Sequence, residues 1–406
     1  MNKFNLLFLK NVSSILNKRL IIRQFIIAFL FCFSSFAQSA KDHLQKGLVT
    51  DNFKVAIVEY SKAISLNPNF FEAYYLRAKD KHSVKDLKGS VIDFKKAITL
   101  KPNYAYSYYY IGKAYQDLEK HDEAITYFLK FIEILKIEDD SDIPEDITEI
   151  VLSDFDANVS IGESHFFQKN FKDAIIYLSK ALNTFSENPD IFYLRGKAKA
   201  NLNDYQGAIL DYNNAIALDS NDVRYYKSRG YSKSFLKDYE GAINDFLRIQ
   251  ILDPENKTAY YTIGLFYKFQ GKSFESIKFF NLALEFNNSP ISECYFERGN
   301  AKSNLEDYRG AVMDFTKALE HNPKLYECYY LRGEAKLFLD DKKGAILDIT
   351  KYIIQSPNGE YIKFAYSQRG LAKIGLNQKE SGCLDLSKSG ELGYEGAYES
   401  IKELCK

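Results

Sequence analysis

The stretch LRGKAKANLNDYQGAILDYNNAI, residues 194–216, decides the fold of this chain. Its apolar residues recur at helical spacing on both sides of Asn203-Asp204, a pair typical of a turn followed by a helix cap. Small residues at Gly196 and Ala208 allow the two helices to approach closely. Because two helices cannot bury their own apolar faces, the stretch predicts an all-α array of stacked helix pairs.

The same pattern recurs with a period close to 34 residues. Gly196, Gly230 and Gly264 are 34 residues apart, as are Gly299 and Gly333. Twelve residues after the first small residue of each repeat, a second small residue follows: Ser90, Ala124, Ala174, Ala208, Ala242, Ser276, Ala311 and Ala345. A fixed period of this length is typical of a solenoid.

The repeat resembles the tetratricopeptide repeat, with the pattern Trp-x2-Leu-Gly-x2-Tyr, then Ala-x3-Phe-x2-Ala, then Pro. This chain has Phe192-x2-Arg195-Gly196-x2-Lys199 and Ala208-x3-Tyr212-x2-Ala215. Tyrosine takes the Trp place in most other repeats: Tyr74, Tyr108, Tyr226, Tyr260, Tyr295, Tyr329 and Tyr366. The resemblance implies about ten repeats in a right-handed superhelical solenoid of antiparallel helix pairs, of bacterial type, with a C-terminal capping helix.

The chain is expected to divide into five segments. Residues 1–37 combine a basic start with the apolar run Phe25–Ala37, which predicts a signal peptide and export to the periplasm or the medium. An uncleaved segment, and with it a cytoplasmic adaptor, is the alternative. Residues 38–135 are predicted to hold repeats 1–3, residues 136–152 an acidic insertion, residues 153–389 repeats 4–10 and residues 390–406 the capping helix.

A charged triplet accompanies most repeats, with an Arg, a Lys four residues later and an Asp twelve residues after that Lys. The six sets are Arg77, Lys81 and Asp93; Arg195, Lys199 and Asp211; Arg229, Lys233 and Asp245; Arg298, Lys302 and Asp314; Arg332, Lys336 and Asp348; and Arg369, Lys373 and Asp385. Three repeats replace all members together, with Ile111, Tyr115 and Tyr127; Ile161, His165 and Tyr177; and Ile263, Tyr267 and Phe279. Since a catalytic triplet would occur once, the repetition predicts structural ion clusters between paired helices.

The sequence contains few indications of nucleic-acid binding, metal binding or redox chemistry. The 54 basic and 54 acidic residues cancel, which gives no indication of a nucleic acid or an anionic membrane as partner. The five histidines have no metal-ligand spacing, so we expect no metal and no cofactor. In an oxidising compartment Cys383 and Cys405 are expected either to form a disulfide or to remain two free thiols.

The fifth residue of each first helix is the candidate for function. In the family that the repeat resembles, this place tends to face a concave groove where peptides bind. Here it holds Tyr75, Tyr109, Tyr193, Tyr261, Phe296 and Tyr330, and phenylalanines at the thirteenth place are further candidates: Phe167, Phe235, Phe269 and Phe338. We therefore expect a non-enzymatic scaffold that binds a protein or peptide partner, or else an envelope glycan or peptidoglycan binder that stacks sugars on these rings.

Overall fold

The computed structural model describes residues 37–136, 153–285 and 290–406. Almost all of the predicted signal peptide and the predicted acidic insertion lie outside the described residues. The described residues contain helices and turns and no strand, and their helices follow one another in antiparallel pairs. The chain is therefore an all-α solenoid, and it divides into two compact units, residues 1–202 and 203–406.

The first unit contains helices α1 to α9. Residues 37–48 are helical and are called α1. The others are α2 (Phe53–Leu66), α3 (Phe71–Ser83), α4 (Leu87–Leu100), α5 (Ala105–Asp117), α6 (His121–Leu135), α7 (Asp154–Phe167), α8 (Phe171–Thr184) and α9 (Pro189–Asn201). Odd-numbered helices are the first helices of the repeats, and even-numbered helices are the second helices.

The second unit contains helices α10 to α21. They are α10 (Tyr205–Leu218), α11 (Val223–Phe235), α12 (Tyr239–Leu252), α13 (Lys257–Phe269), α14 (Ser273–Leu284), α15 (Ile291–Asn304), α16 (Tyr308–His321), α17 (Glu327–Phe338), α18 (Lys342–Gln355), α19 (Ile362–Ile374), α20 (Lys379–Glu391) and α21 (Gly396–Leu404). Within each unit, second helices also pack against the first helix of the next repeat, as α4 does on α5 and α16 on α17.

The turns inside the repeats after the first share a local conformation. The residue two places before the second helix has a left-handed backbone, with φ of 64° at Lys85 and 63° at Lys237. In five repeats an aspartate follows it and caps the helix, as where Asp86 accepts a hydrogen bond from the Gly89 amide at 3.0 Å. The same cap occurs at Asp204, Asp238, Asp307 and Asp341. These caps satisfy amides that a helix start leaves unpaired.

Small residues let the two helices of a repeat meet. A Cβ atom added to Gly112 would lie 2.7 Å from the Phe128 ring, and one added to Gly299 would lie 2.9 Å from the Phe315 ring. Both rings are fully buried, so they fill the space that the glycines leave. In these two repeats the first small residue thus admits a ring of the partner helix, and Gly162 and Gly333 admit Leu178 and Ile349 in the same way.

The last helix covers the final repeat. Helix α21 packs on α20, and Ala397 is buried at the contact. Cys383 of α20 and Cys405, just after α21, form a disulfide with Cα atoms 5.8 Å apart. The remaining described cysteines, Cys294 and Cys328, are buried and outside any disulfide, and burial raises the pKa of the Cys328 thiol to about 12. A thiol so far from ionisation is suited to packing rather than to nucleophilic chemistry.

Candidate binding face and inter-helix ion clusters

In the five triplets that lie within one unit, the Arg and the Lys converge on one buried carboxylate. In α3 and α4, the Arg77 guanidinium donates from Nε to Asp93 Oδ2 at 2.8 Å and from Nη2 to Oδ1 at 2.7 Å. Lys81 Nζ lies 2.7 Å from Asp93 Oδ2. Only 2% of Asp93 is exposed, so the carboxylate is held by a two-pronged guanidinium bond and an ammonium in place of water.

The triplet of α11 and α12 has the same geometry. Arg229 Nη2 lies 2.5 Å from Asp245 Oδ1, and Lys233 Nζ lies 2.9 Å from Asp245 Oδ2. Lys233 also donates to the Gly241 carbonyl at 3.3 Å. The lysine therefore reaches across to the second helix at two points, and its side chain is largely buried there.

The triplet of α17 and α18 repeats this arrangement. Arg332 Nη2 lies 2.6 Å from Asp348 Oδ1, and Lys336 Nζ donates to Asp348 Oδ2 at 2.8 Å. Lys336 is partly buried like Lys233, and both lysines lie beside their aspartates in the seam between the paired helices. Each contributes its charge to one carboxylate of its own repeat.

Two further triplets in the second unit agree with these. The distances from Arg Nη2 to Asp Oδ1 and from Lys Nζ to Asp Oδ2 are 2.6 and 2.9 Å at Asp314, and 2.7 and 2.8 Å at Asp385. Arg195 and Lys199 belong to the first unit, and Asp211, which is buried, belongs to the second.

The arginines make a third bond that their own triplet does not contain. Arg77 Nη1 donates to Ser61 Oγ of the preceding repeat at 3.0 Å, and Arg332 Nη1 donates to Thr316 Oγ1 at 3.0 Å. Ser179, Asn213, Asn281 and Thr350 accept the corresponding bonds from Arg195, Arg229, Arg298 and Arg369. Each guanidinium therefore also connects its repeat to the one before it.

The sequence contains a signal for this third bond that the triplet alone misses. Where isoleucine replaces the arginine, the corresponding place in the preceding repeat holds Lys95, Leu129 or Leu247 in place of a serine, threonine or asparagine. Acceptor and donor thus change together, as a bond between repeats requires.

The three repeats without triplets bring rings together instead. Tyr115 stacks on Tyr127 with centroids 5.4 Å apart, His165 on Tyr177 at 5.6 Å, and Tyr267 on Phe279 at 5.3 Å. Ile111, Ile161 and Ile263 are completely buried beside them. Burial also lowers the pKa of His165, so its neutral form is favoured in the stack.

The first repeat contains a further pair at the triplet spacing. His43 Nδ1 lies 2.6 Å from Glu59 Oε2, sixteen residues away, and Lys62 Nζ lies 2.6 Å from Glu59 Oε1. Hydrogen bonds from Lys62 and His43 lower the pKa of Glu59 to about 2. The same sixteen-residue separation joins Arg77 to Asp93, so the spacing could have identified this pair.

The first helices form a continuous face within each unit, called here the groove face. Helix α3 contacts α5, α5 contacts α7 and α7 contacts α9 in the first unit, and α13, α15, α17 and α19 contact one another in turn in the second. The predicted binding residues lie on these helices. Their side chains, however, differ in how much they reach the surface.

Two of the predicted rings are packed inside the repeats. Tyr75 has no exposed surface and meets Tyr104 edge-on at 5.2 Å, while Tyr330 is 4% exposed and stacks on Tyr361 at 4.7 Å. Neighbouring rings from the following repeat cover them, so neither offers its ring to a partner. Their contribution in this structure is to packing between repeats.

The other four rings are half-buried on the groove face: Tyr109, Tyr193, Tyr261 and Phe296. Tyr109 packs on Phe128 and Phe131, at 5.5 and 5.4 Å, and burial raises its pKa to about 12. Tyr261 lies 5.8 Å from Phe280, and Phe296 lies 6.2 Å from Phe315. Each of these three rings is thus anchored by a second helix and keeps one edge at the surface.

Polar side chains on the groove face bridge successive repeats. In the first unit, Gln116 Nε2 donates to the Ser160 carbonyl at 3.1 Å, and Lys113 Nζ donates to Gln116 Oε1 at 2.7 Å. In the second unit, Lys268 Nζ lies 2.5 Å from Glu297 Oε2. Gln368 Nε2 donates to Glu334 Oε1 at 2.7 Å. These bonds hold the polar groups in place on the first helices.

A cavity of about 630 Å³ lies at the ends of α5 and α7 and the start of α6 in the first unit. Its lining is Lys113, Gln116, Asp117, Glu119, His121, Glu163 and Phe167. The His121 and Phe167 rings stack at 5.6 Å, and Phe167 is 65% exposed. The cavity therefore joins one apolar ring face to charges of both signs, which is the chemistry of a site for a mixed polar and apolar segment.

The remaining predicted phenylalanines form an exposed edge in the second unit. Phe235 stacks on Tyr205 at 4.7 Å, Phe269 on Tyr239 at 5.7 Å and Phe338 on Tyr308 at 4.4 Å. Each Phe ends a first helix, and each Tyr begins the second helix of the preceding repeat. All three Phe rings remain more than half exposed.

Neither metal sites nor membrane spans occur in the described parts of the chain. Among residues 37–136, 153–285 and 290–406, no group of three potential metal ligands converges. Over the same residues, no helix combines the length and apolar character needed to cross a bilayer.

Comparison with known proteins agrees with this architecture. A family model described as tetratricopeptide repeat matches residues 105–134, 258–290 and 292–325, and a second model of the same description matches residues 154–223. No curated protein matches the sequence.

Solved structures are similar to the chain at low identity. The C-terminal part of a TPR repeat-containing protein from Cytophaga hutchinsonii is 18% identical over 59% of this chain and 98% of that one, with a TM-score of 0.52. A tetratricopeptide repeat protein from Parabacteroides merdae is 21% identical over 62% and 96%, with a TM-score of 0.44. YrrB, described as a TPR protein with an unusual peptide-binding site, is 20% identical over 46% and 96%, with a TM-score of 0.41.

The family models and the likeness to the Cytophaga protein agree with the helix pairs and small-residue seams described above. Proteins of this family are typically non-enzymatic scaffolds for protein–protein interaction. The chain is a tetratricopeptide repeat protein with many helical repeats.

Proposed function

We propose that the chain is a non-enzymatic scaffold that binds an extended or helical segment of a protein partner on its groove face. The observation that carries the proposal is the alternation of half-buried rings with bridged polar groups along the first helices, as at Tyr261 and the Lys268–Glu297 pair. Rings of this kind bind with little loss of side-chain entropy because their partner helices already hold them.

The half-buried rings, rather than all six predicted ones, are the proposed contact residues. Tyr109, Tyr193, Tyr261 and Phe296 keep surface at the groove face, and Lys113 and Glu163 supply charges beside the cavity. The partner segment would therefore carry apolar side chains for the ring edges and charged or amide groups between them.

A crosslinking pull-down tests this proposal. We expect Tyr193→Ala combined with Tyr261→Ala to remove the partner crosslinks made by the wild-type chain. The matched control is Phe274→Ala on second helix α14, an exposed ring that lies off the groove face. Circular dichroism of each variant checks that the helices persist. Crosslinks that survive the double change unaltered would contradict the groove proposal.

Glycan binding is the second candidate, and the exposed edge of Phe235, Phe269 and Phe338 favours it. Each ring is backed by a tyrosine on one side, which leaves the other side for a sugar ring. Retention on a peptidoglycan column that Phe235→Ala and Phe338→Ala abolish, with no protein crosslinks, would favour this function over the first.

We also propose that the chain is exported after cleavage behind Ala37. The support is the basic start and apolar run of residues 1–37. Mass spectrometry of the mature protein should find Gln38 as the first residue. An intact N-terminus would instead favour a cytoplasmic adaptor.

A further inference from the structure

Five second helices share a pattern of side chains on their solvent side. A basic residue is followed four residues later by an aliphatic residue and, four residues further on, by a lysine. The five sets are Lys54, Val58 and Lys62; Lys88, Ile92 and Lys96; Lys172, Ile176 and Lys180; Arg309, Met313 and Lys317; and Lys343, Leu347 and Lys351. Spacing by four places the members of each set on one side of a helix. We call these sets the basic outer facets.

The aliphatic members are exposed to an extent unusual for their type. Between 49% and 74% of each is exposed, although the same helices bury other aliphatic or aromatic residues against their neighbours. Phe94 and Phe315, for example, are fully buried on α4 and α16. The exposure therefore belongs to one side of each helix and does not result from loose packing.

On all five helices with a basic first residue, the middle residue of the pattern is apolar. Where the first place is acidic on α6 and α12, the middle residue is Thr126 or Asn244. Helix α20 keeps an aliphatic Leu384 after an acidic residue, and α10 keeps Leu210 between neutral residues. Among the second helices that the structure describes, a basic first residue is thus never followed by a polar middle residue.

Carboxylates are turned away from the facets on α4 and α18, because Asp93 and Asp348 are buried in the ion clusters. On α2, Glu59 pairs with the facet lysine Lys62 at 2.6 Å. The two other second helices likewise have facets with a carboxylate close by, such as Glu320 beside Lys317. The facets of α4 and α18 are therefore the ones that stay cationic although the whole chain has no net charge.

We propose that the basic outer facets dock on an anionic lipid surface. Lysine and arginine heads would contact lipid phosphates, while the aliphatic residue between them enters the boundary between headgroups and acyl chains. The long basic side chains reach the headgroup level while their stems cover apolar surface. A simple facet that recurs within each unit fits a surface whose chemistry is uniform better than a protein partner, which would be matched in shape at one place.

Vesicle flotation of the full chain tests the proposal. The probes are phosphatidylcholine vesicles with and without added phosphatidylglycerol. We expect binding only to the anionic vesicles and a decrease in binding as salt is raised. Ile92→Gln combined with Leu347→Gln should lower the partition coefficient about tenfold, and Lys88→Gln combined with Lys343→Gln should lower it by a similar factor.

The matched control is Leu210→Gln, which removes an equally exposed aliphatic residue between the neutral Gln206 and Asn214. We expect it to change the partition coefficient by less than about twofold. Equal binding to neutral vesicles would assign any lipid contact to the apolar residues 25–37 and overturn the proposal. Unchanged flotation of both double variants, or loss of a protein crosslink in place of lipid binding, would overturn it as well.

Discussion

The two kinds of repeat in this chain join their first and second helices differently, one through an ion cluster and the other through stacked rings. In α15 and α16, Arg298 and Lys302 surround the buried Asp314, whereas in α13 and α14 the Tyr267 and Phe279 rings stack at the equivalent places. The ion cluster loses free energy because three charges are desolvated, and its hydrogen bonds and ion pairs, including one bond to the preceding repeat, offset that loss. The stacked pair needs no such compensation but gives no directional bond between repeats.

In the repeats after the first, the interface between the paired helices contains either the full Arg, Lys and Asp triplet or the full set of an isoleucine and two rings, and never a mixture of the two. An arginine and a lysine four residues apart on one helix repel each other, and the aspartate removes that repulsion. A repeat that kept its Arg or Lys but had a ring in place of the Asp would hold a partly buried charge without a partner. The simultaneous replacement of all members in three repeats follows from this physical coupling.

Removing the carboxylate from an ion cluster should have the largest effect. Asp314→Ala leaves Arg298 and Lys302 partly buried without their acceptor, and we expect it to lower the free energy of unfolding by about 3 kcal/mol. Urea unfolding followed by circular dichroism measures the loss. Glu320→Ala, on the same helix, removes an exposed pair with Lys317 and should have a much smaller effect on the free energy of unfolding, because solvent screens that pair. Equal losses in the two variants would show that the cluster does not differ from a surface ion pair.

Converting one kind of repeat into the other should recover most of that stability. The combined change Arg298→Ile, Lys302→Tyr, Asp314→Phe and Asn281→Leu reproduces the set of the repeat with Ile263, Tyr267 and Phe279, including the apolar Leu247 in the repeat before it. We expect its unfolding free energy to lie within about 1 kcal/mol of the wild type, because apolar packing can replace a buried ion cluster. A variant as unstable as Asp314→Ala would show that the two sets are not interchangeable.

The smallest effect concerns the pH dependence of a ring-stacked repeat. Because burial lowers the pKa of His165, the folded chain binds fewer protons there than the unfolded chain does. Stability at this site is therefore present above the unfolded pKa of about 6.5 and is lost as pH falls through that value toward the lower folded pKa. His165→Tyr introduces the residue type found at the equivalent positions Tyr115 and Tyr267. It should reduce the change of the unfolding midpoint with pH between about pH 7 and pH 5.

Tyr177→Phe serves as the control for that measurement, since it keeps the stack on His165 and the histidine itself. Its unfolding midpoint should retain the wild-type slope with pH. A slope that persists in His165→Tyr would place the titration on another group.

The sequence by itself determined the helix pairs, their period and the pairing of charges. Each of these is local. Arg77 and Asp93, for example, lie on the two helices of one short hairpin, and the small residues Ala78 and Ser90 set the register of those helices. Twelve- and sixteen-residue spacings then fix which side chains meet across the seam. Co-variation among copies within one chain was sufficient to predict the triplets as sets, and it placed Lys233 and Lys336 beside their aspartates.

Tertiary structure alone decided which side chains stay at the surface. Tyr75 and Tyr109 occupy the same place in successive repeats, yet the rings of the next repeat cover Tyr75 completely and leave Tyr109 half-buried. The bond from Arg77 to Ser61 and the approach of Cys405 to Cys383 likewise depend on how neighbouring helices stack. Exposure and contacts between repeats arise from the residues of adjacent repeats, which the period of a single repeat does not specify.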